Sequence, residues 1–387
     1  MLKSADVVII GGGVQGCSIA YHLAKKGIKN IAVLERSYLS SGGTGRSAAG
    51  IRHQFGTEIN IKLAAESIRM IENLTHELDY PYEEGLELMQ KGYTMLAYSK
   101  SQLAQFEENA KRQNSLIPHC NTEILSPEDL KEKFPLLNIN GLHGASFNEK
   151  DGHVNPFHLT NAYVMAAKRL GVNFYQHTEV VNIFCEGSKV KGVETKDGHV
   201  INTPIVINAA GPQGGQVSRM VGIEIPMYPE RHQILVTEPL DMVLPSMMIS
   251  LTHGTYFKQT STGSILMGLN DPHEVKDFNE DSTGEFLIEA AKRITAHMPA
   301  LRNTKVIRQW AGLYDITPDQ QPILGPVDQV DGFYMDVGWS GHGLQLGPVV
   351  GKLMAQLINN EEPEIDIRPL NFNRFETGEL IPEPVCV

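Results

Sequence analysis

Three observations predict an α/β domain interleaved with an α+β domain built on an antiparallel sheet. The chain opens on a strand, a glycine turn, a helix and a second strand. Its middle twice changes to short alternating strands and charged helices, and it closes on another glycine-rich strand-to-helix turn. At 387 residues the length suits two domains better than one core. Residues 1–80, 148–215 and 310–387 are expected to form the first, discontinuous domain, and 81–147 and 216–309 the second.

Val7-Val8-Ile9-Ile10 has the length and β-branching of a strand buried on both faces. In the following turn, Gly11 takes backbone angles closed to other residues. Gly13 lets a pyrophosphate approach, and Gly16 allows the new helix to pack on the strand. Val14 and Gln15 open that helix, whose free amides and dipole favour an anion. The second strand, Ile31–Leu34, ends at Glu35, nineteen residues after Gly16, where a carboxylate can accept ribose hydroxyls and repel a 2′-phosphate. Dinucleotide binding follows from the combination, while NAD and FAD remain equally open at this point.

Hydrophobic residues at 41% and charged residues at 20% suit a globular chain, and the net charge of −12 argues against nucleic acid or an anionic membrane as partner. The first strand begins within a few residues, which leaves no room for a signal peptide. No apolar run reaches membrane-spanning length, so a cytoplasmic protein without a transmembrane segment is expected. Cys17, Cys120, Cys185 and Cys386 lack metal-ligand or redox spacing and read as reduced structural thiols, and no metal site is expected.

After Glu35 and Arg36, the run from Ser40 to Gly50 is rich in small residues and contains Ser41, Gly43, Thr44, Arg46, Ser47 and Ala49. Such a run lets backbone pass close to something flat or charged, the alternative being a surface linker. A helix is expected over 58–79, a strand over Gly92–Tyr98 and a charged helix over Ser101–Asn114. Ser126 with Pro127 marks another helix start. A helix ending near Leu170 and a strand from Val172 follow, then a small meander through Val190–Val193 and His199–Ile201 turning at Asp197-Gly198. Ile205–Asn208 reads as a buried strand running into Ala209, Ala210 and Gly211. Gln233–Thr237, Thr255–Gln259 and Ser264–Gly268 suit antiparallel strands before a helix over Ser282–Met298. Last come Gly312-Leu313-Tyr314, Thr317-Pro318-Asp319, the strand Phe333–Val337 and the turn Gly338–Pro348, which leads a helix through Leu357.

In this order the motifs resemble those of the D-amino-acid oxidase superfamily, in the glycine and sarcosine oxidase branch, over essentially the whole chain. Gly50–Phe55 and the ending Asn373-Arg374-Phe375-Glu376 are more similar still to the β subunits of heterotetrameric sarcosine oxidases and archaeal-type proline dehydrogenases. The resemblance implies FAD in a Rossmann-like domain of the glutathione-reductase type, and a separate partner subunit. Its cofactor contacts would come from the first turn, the Glu35–Gly50 run with Arg36, the Ala210-Gly211 strand end, Gly312, and Gly341, His342, Gly343, Leu344 and Gln345. A helix N-terminus at the flavin pyrimidine would stabilise negative charge on the reduced ring.

Departures from the family carry implications of their own. Gly312 stands where monomeric relatives attach FAD through a cysteine, so noncovalent FAD is expected. Leu266-Met267-Gly268 lacks the oxygen-activating lysine, which implies a dehydrogenase rather than an oxidase, and Gln345 replaces a substrate-binding lysine. Some relatives hold FMN at a subunit interface through a histidine near Asp151–Asn155. His153 is offset by one residue and reads as a surface histidine. The implied reaction oxidises a secondary or N-alkylated amino acid (proline or hydroxyproline, sarcosine, or glycine) to an imine by hydride transfer to flavin N5. Arg52 would bind the carboxylate, and Tyr256, Tyr314 and His342 would line the site. Trp339 is a candidate for the flavin edge. Two other classes stay open: a flavin-bearing assembly or scaffold subunit, and an NAD-dependent dehydrogenase, which would leave the later glycine motifs without a role.

Overall fold

The computed structural model describes residues 1–384. Val7–Ile10 lies at the heart of a parallel array, flanked on one side by Ile31–Leu34 and Asn173–Tyr175 and on the other by Val206–Asn208 and Val330–Val337. Its four residues are all buried because both faces are covered. Ile9 points with Ile207 into one apolar layer, beneath helices Val14–Lys25, Pro156–Arg169 and Gly343–Ile358. Val8, alternating, joins Val206, Phe333 and Met335 in a second layer on the opposite face. The meander extends this sheet: Lys189–Thr195 pairs with Val200–Asn202 around the Asp197-Gly198 turn, and also with Val180–Glu186, a strand the sequence had not marked.

A second sheet runs in the order Val306–Ile316, Tyr228–Pro239, Ser264–Leu269, Thr255–Gln259, Met247–Ser250, Tyr93–Ala97, Gly144–Asn148, Glu123–Leu125. It is antiparallel except where Met247–Ser250 runs parallel to Tyr93–Ala97. One expected boundary differs. Residues 310–316, assigned from sequence to the nucleotide-binding domain, belong to this sheet, because Val306–Ile316 is one continuous strand paired with Tyr228–Thr237. Tyr314 therefore comes to the site from the antiparallel sheet.

Several local signals take physical form. Ser126 accepts from Asp129 N at 3.1 Å while Asp129 accepts from Ser126 N at 2.9 Å, a reciprocal capping box ahead of Pro127. The charged helix runs over Lys100–Leu116 and is capped by Ser99. Cys17 and Cys120 are buried and Cys185 is exposed, while Cys386 lies outside the described residues. Among the described residues no helix is long and apolar enough to cross a membrane, and no His/Cys/Asp/Glu group is suited to a metal ion.

Candidate active site

Where the carboxyl ends of the parallel strands open, a cavity of about 480 Å³ is lined by the first glycine turn. Gly11 has φ +117°, and a Cβ there would stand 2.2 Å from Ala209 O, so the turn and the Ala209-Ala210-Gly211 strand end require each other. Gly13, Val14 and Gln15 line the cavity. Gly16 does not. A Cβ on it would lie 2.1 Å from Gly11 O, so its part is helix-to-turn packing rather than cofactor contact. Glu35 lines the cavity while accepting from Gly12 N and Ser37 N, both at 2.8 Å, which ties the acid to the turn it serves.

Arg36, Ser41, Gly43, Thr44, Arg46 and Ser47 complete one wall. Thr44 Oγ1 accepts from Val14 N at 3.2 Å, joining the small-residue run to the helix start. Arg46 donates to Ser41 O and Ala311 O and pairs with Glu280 at 3.0 Å, so it holds the loop to the second sheet. Gly312 lines neither cavity: its place in the strand sets it against Arg46, whose Cβ would meet an added Cβ at 2.9 Å. Ala210 and Gly211 lie on the far wall, with Tyr314, Trp339, Gly341, Gly343 and Leu344 at the other end.

A second, smaller cavity of about 80 Å³ adjoins the first, since Ser47, Tyr314, Gly341 and Leu344 line both. Ala49, Gly50, Arg52, Tyr256, His342 and Gln345 line it, and so do Tyr93, Met247 and Ile249, which the sequence reading missed. Arg52 is 7% exposed, and its guanidinium lies 4.1 Å from the centre of the Phe55 ring and donates to Gln54 O. Gln345 Oε1 accepts from Arg52 N at 2.7 Å, while its buried Nε2 finds no acceptor among the described residues. Tyr256 is hydrogen-bonded to Tyr314, and burial drives its hydroxyl pKa well above the usual value. Tyr314 stacks on His232 at 3.6 Å. Gly268 is required beneath Tyr256, where a Cβ would meet the phenol oxygen at 2.1 Å. Burial and the Arg52 charge press His342 down to about 4, leaving the imidazole neutral at physiological pH.

Behind Arg52, Asp151 accepts from His53 N at 2.8 Å and Gln54 Nε2 at 3.0 Å and meets His53 Nδ1 at 2.6 Å. The following histidine corrects the sequence reading. His153 is buried, not on the surface, because Gly152-His153 pairs with Gly50-Ile51 and its Nε2 lies 3.1 Å from Gln259 O. Ser40, Ala49 and Ser340 adopt positive φ in the loops around the two cavities, the kind of local strain that accumulates at functional sites.

Buried titratable groups that sequence reading passed over also stand here. Asp336 lines the larger cavity and accepts from Trp339 Nε1 at 2.9 Å; its Oδ2 has no donor among the described residues, and burial raises its pKa to about 8. Asp315, accepting from Gly338 N at 2.7 Å, is raised by burial to about 6. Lys258 shares a sheet face with Tyr256 and is lowered by burial to about 7. Strand alternation from Tyr256 was the available signal for Lys258; no local pattern distinguishes Asp336.

A family described as FAD-dependent oxidoreductase (DAO) matches residues 6–357. The chain belongs to this family. Sarcosine oxidase subunit beta of an Arthrobacter species is 30% identical, with 98% of this chain and 93% of that protein covered. L-proline dehydrogenase from P. horikoshii superposes with a TM-score of 0.91 at 34% identity, covering 98% of this chain and all of that one. Glycine oxidase from Geobacillus kaustophilus, at 23% identity and a TM-score of 0.88 over 96% of this chain and 99% of that one, shares the fold. As a member of an FAD-dependent family, this oxidoreductase uses FAD, and NAD is set aside. Its site fits that group: glycine backbone at a helix start faces the cavity, Glu35 lines it, and among the described residues Gln15 Oε1 and Asp336 Oδ2 are buried polar atoms of lining residues without a hydrogen-bond partner.

Proposed function

We propose that this protein oxidises a small secondary or N-alkylated amino acid to an imine. The observation that carries the reading is the buried Arg52 guanidinium on the wall of the small cavity that adjoins the cofactor cavity. When bound, FAD supplies the acceptor for the hydride equivalent. Arg52 binds the substrate carboxylate, and the partnerless Gln345 Nε2 offers a second donor to it. Tyr256 and Tyr314 orient the substrate, and the apolar wall of Met247 and Ile249 disfavours the ammonium form, leaving the amine lone pair available.

Leu266, where oxidases of the family carry lysine, supports a dehydrogenase; Lys258, across from Leu266 on the next strand, lines neither cavity. Neither Cys17, Cys120 nor Cys185 lines the cofactor cavity, which supports noncovalent FAD. The Arthrobacter relative is a β subunit, which supports a heteromeric partner, with FMN at that interface as an accompanying proposal. Proline, hydroxyproline, sarcosine and glycine are the candidate substrates. Anaerobic bleaching of the flavin band at about 450 nm by one of these amines is the expected result, with slow recolouring in air. A yellow protein that none of them bleaches, with or without its partner, overturns the reading in favour of a scaffold subunit.

A further inference from the structure

The far end of the chain returns to the turn that carries Arg52. Asp319 is fully buried and paired with Arg374, through Nε at 2.8 Å and Nη2 at 3.1 Å. From this staple the chain runs on to 381–384: Ile381 N donates to Asp319 Oδ2 at 3.3 Å and Glu383 N to Asp319 O at 3.1 Å. The Glu383 carboxylate, 3% exposed, then accepts hydrogen bonds from Gly56 N at 2.9 Å, Thr57 N at 3.1 Å, Thr57 Oγ1 at 2.7 Å and Asn60 Nδ2 at 2.9 Å. Thr57 is the N-cap of helix Glu58–Glu77 but does not cap it with its own side chain. Glu383, more than three hundred positions away, instead braces the turn at Gly56, the N-cap residue Thr57 and the Asn60 side chain, and sets a negative charge at the positive end of the helix dipole.

The braced turn packs behind Arg52, a residue of the small cavity. Phe55, next to Gly56, stacks under the Arg52 guanidinium and approaches His342 at 5.6 Å between ring centres. Gly56 admits the segment only because it lacks a side chain, since a Cβ there would lie 2.4 Å from Pro384 Cγ. The fields of Arg52 and Glu383 act with opposite sign on His342, which places both charges at this turn.

We propose that Glu383 is a positioning residue of the amine site: by fixing the Gln54–Thr57 turn it holds the Arg52 guanidinium where a carboxylate binds. The proposal rests on the reading of Arg52 as the carboxylate ligand. A purely electrostatic effect would have the opposite sign, because removing a negative charge near Arg52 strengthens the binding of an anion.

The probe is acetate at fixed neutral pH, with its Kd read from perturbation of the oxidised flavin spectrum in the FAD-loaded protein. The variants are Glu383→Gln, Glu383→Asp, Arg52→Lys and, as a cap loss remote from the site, Ser126→Ala. The expected result is acetate binding weakened about tenfold in Glu383→Gln and partly restored in Glu383→Asp. The KM for the substrate should rise in parallel, kcat should change less, and Ser126→Ala should bind like the parent. Unchanged or tighter acetate binding in Glu383→Gln, with FAD content retained, overturns the positioning role. Should Glu383→Gln fail to fold, Glu383→Asp decides, with parental affinity and KM overturning the proposal. If Arg52→Lys binds acetate as well as the parent does, the carboxylate-site reading itself fails, an outcome distinct from failure at Glu383.

Discussion

The two adjoining cavities are built in opposite ways. The larger is framed by glycine turns, strand ends and a helix start, where several glycines leave no room for a side chain. The smaller is made of side chains brought from afar, with Arg52 from just after the small-residue run, Tyr256 and Tyr314 from the antiparallel sheet and Gln345 from helix Gly343–Ile358. At Gly11, Gly12 and Gly341 an added carbon would clash, whereas a side-chain site tolerates substitutions that change chemistry without disturbing the fold.

The largest effect should come from adding one carbon where the first helix packs on the glycine turn of the larger cavity. Gly16→Ala pushes a methyl against Gly11 O and is expected to cost about 3 kcal/mol or more in stability and to empty the protein of FAD. Thermal melts together with flavin-to-protein absorbance would show it, and a yellow, fully stable variant would break the contrast. Arg52→Lys should leave FAD content and melting close to the parent while lowering kcat/KM about a hundredfold, roughly 3 kcal/mol of lost bidentate recognition, as read from anaerobic reduction rates.

The smallest effect concerns Asp336, a side chain in the larger cavity. Its carboxyl is raised to about 8 by burial, so the folded state keeps a proton that the unfolded state has released. Stability is therefore lost as pH rises from the ordinary carboxylate range to about 8. Asp336→Asn removes this loss and should gain on the order of 1–2 kcal/mol at pH 8 in FAD-stripped protein, with little gain at pH 4. Melting temperatures at the two pH values would show the difference, and an equal shift at both would mean the carboxyl is not the cause.

The same division explains what could be read in the sequence. Gly11, Gly13 and Glu35 announce themselves because turn geometry, anion approach and ribose recognition each demand a residue type at a fixed offset. Gly16 and Gly312 show the limit of that logic, since a glycine required for packing looks the same in sequence as one required for a ligand. Tyr93, Met247 and Ile249 were invisible as site residues because only the pairing of Met247–Ser250 with Tyr93–Ala97 brings them together. Glu383 is the extreme case: nothing near it in the chain indicates that it braces the turn ahead of the helix beginning at Glu58.

The strand order has a further consequence during synthesis. Val7–Ile10 must wait for Val206–Asn208 on its open edge, and that strand in turn for Val330–Val337. At about 5–20 residues per second, the first strand emerges on the order of tens of seconds before the sheet that buries it is complete. During that interval one edge of an apolar strand stands unpaired, and FAD can stabilise only a chain whose helix Gly343–Ile358 has begun to emerge.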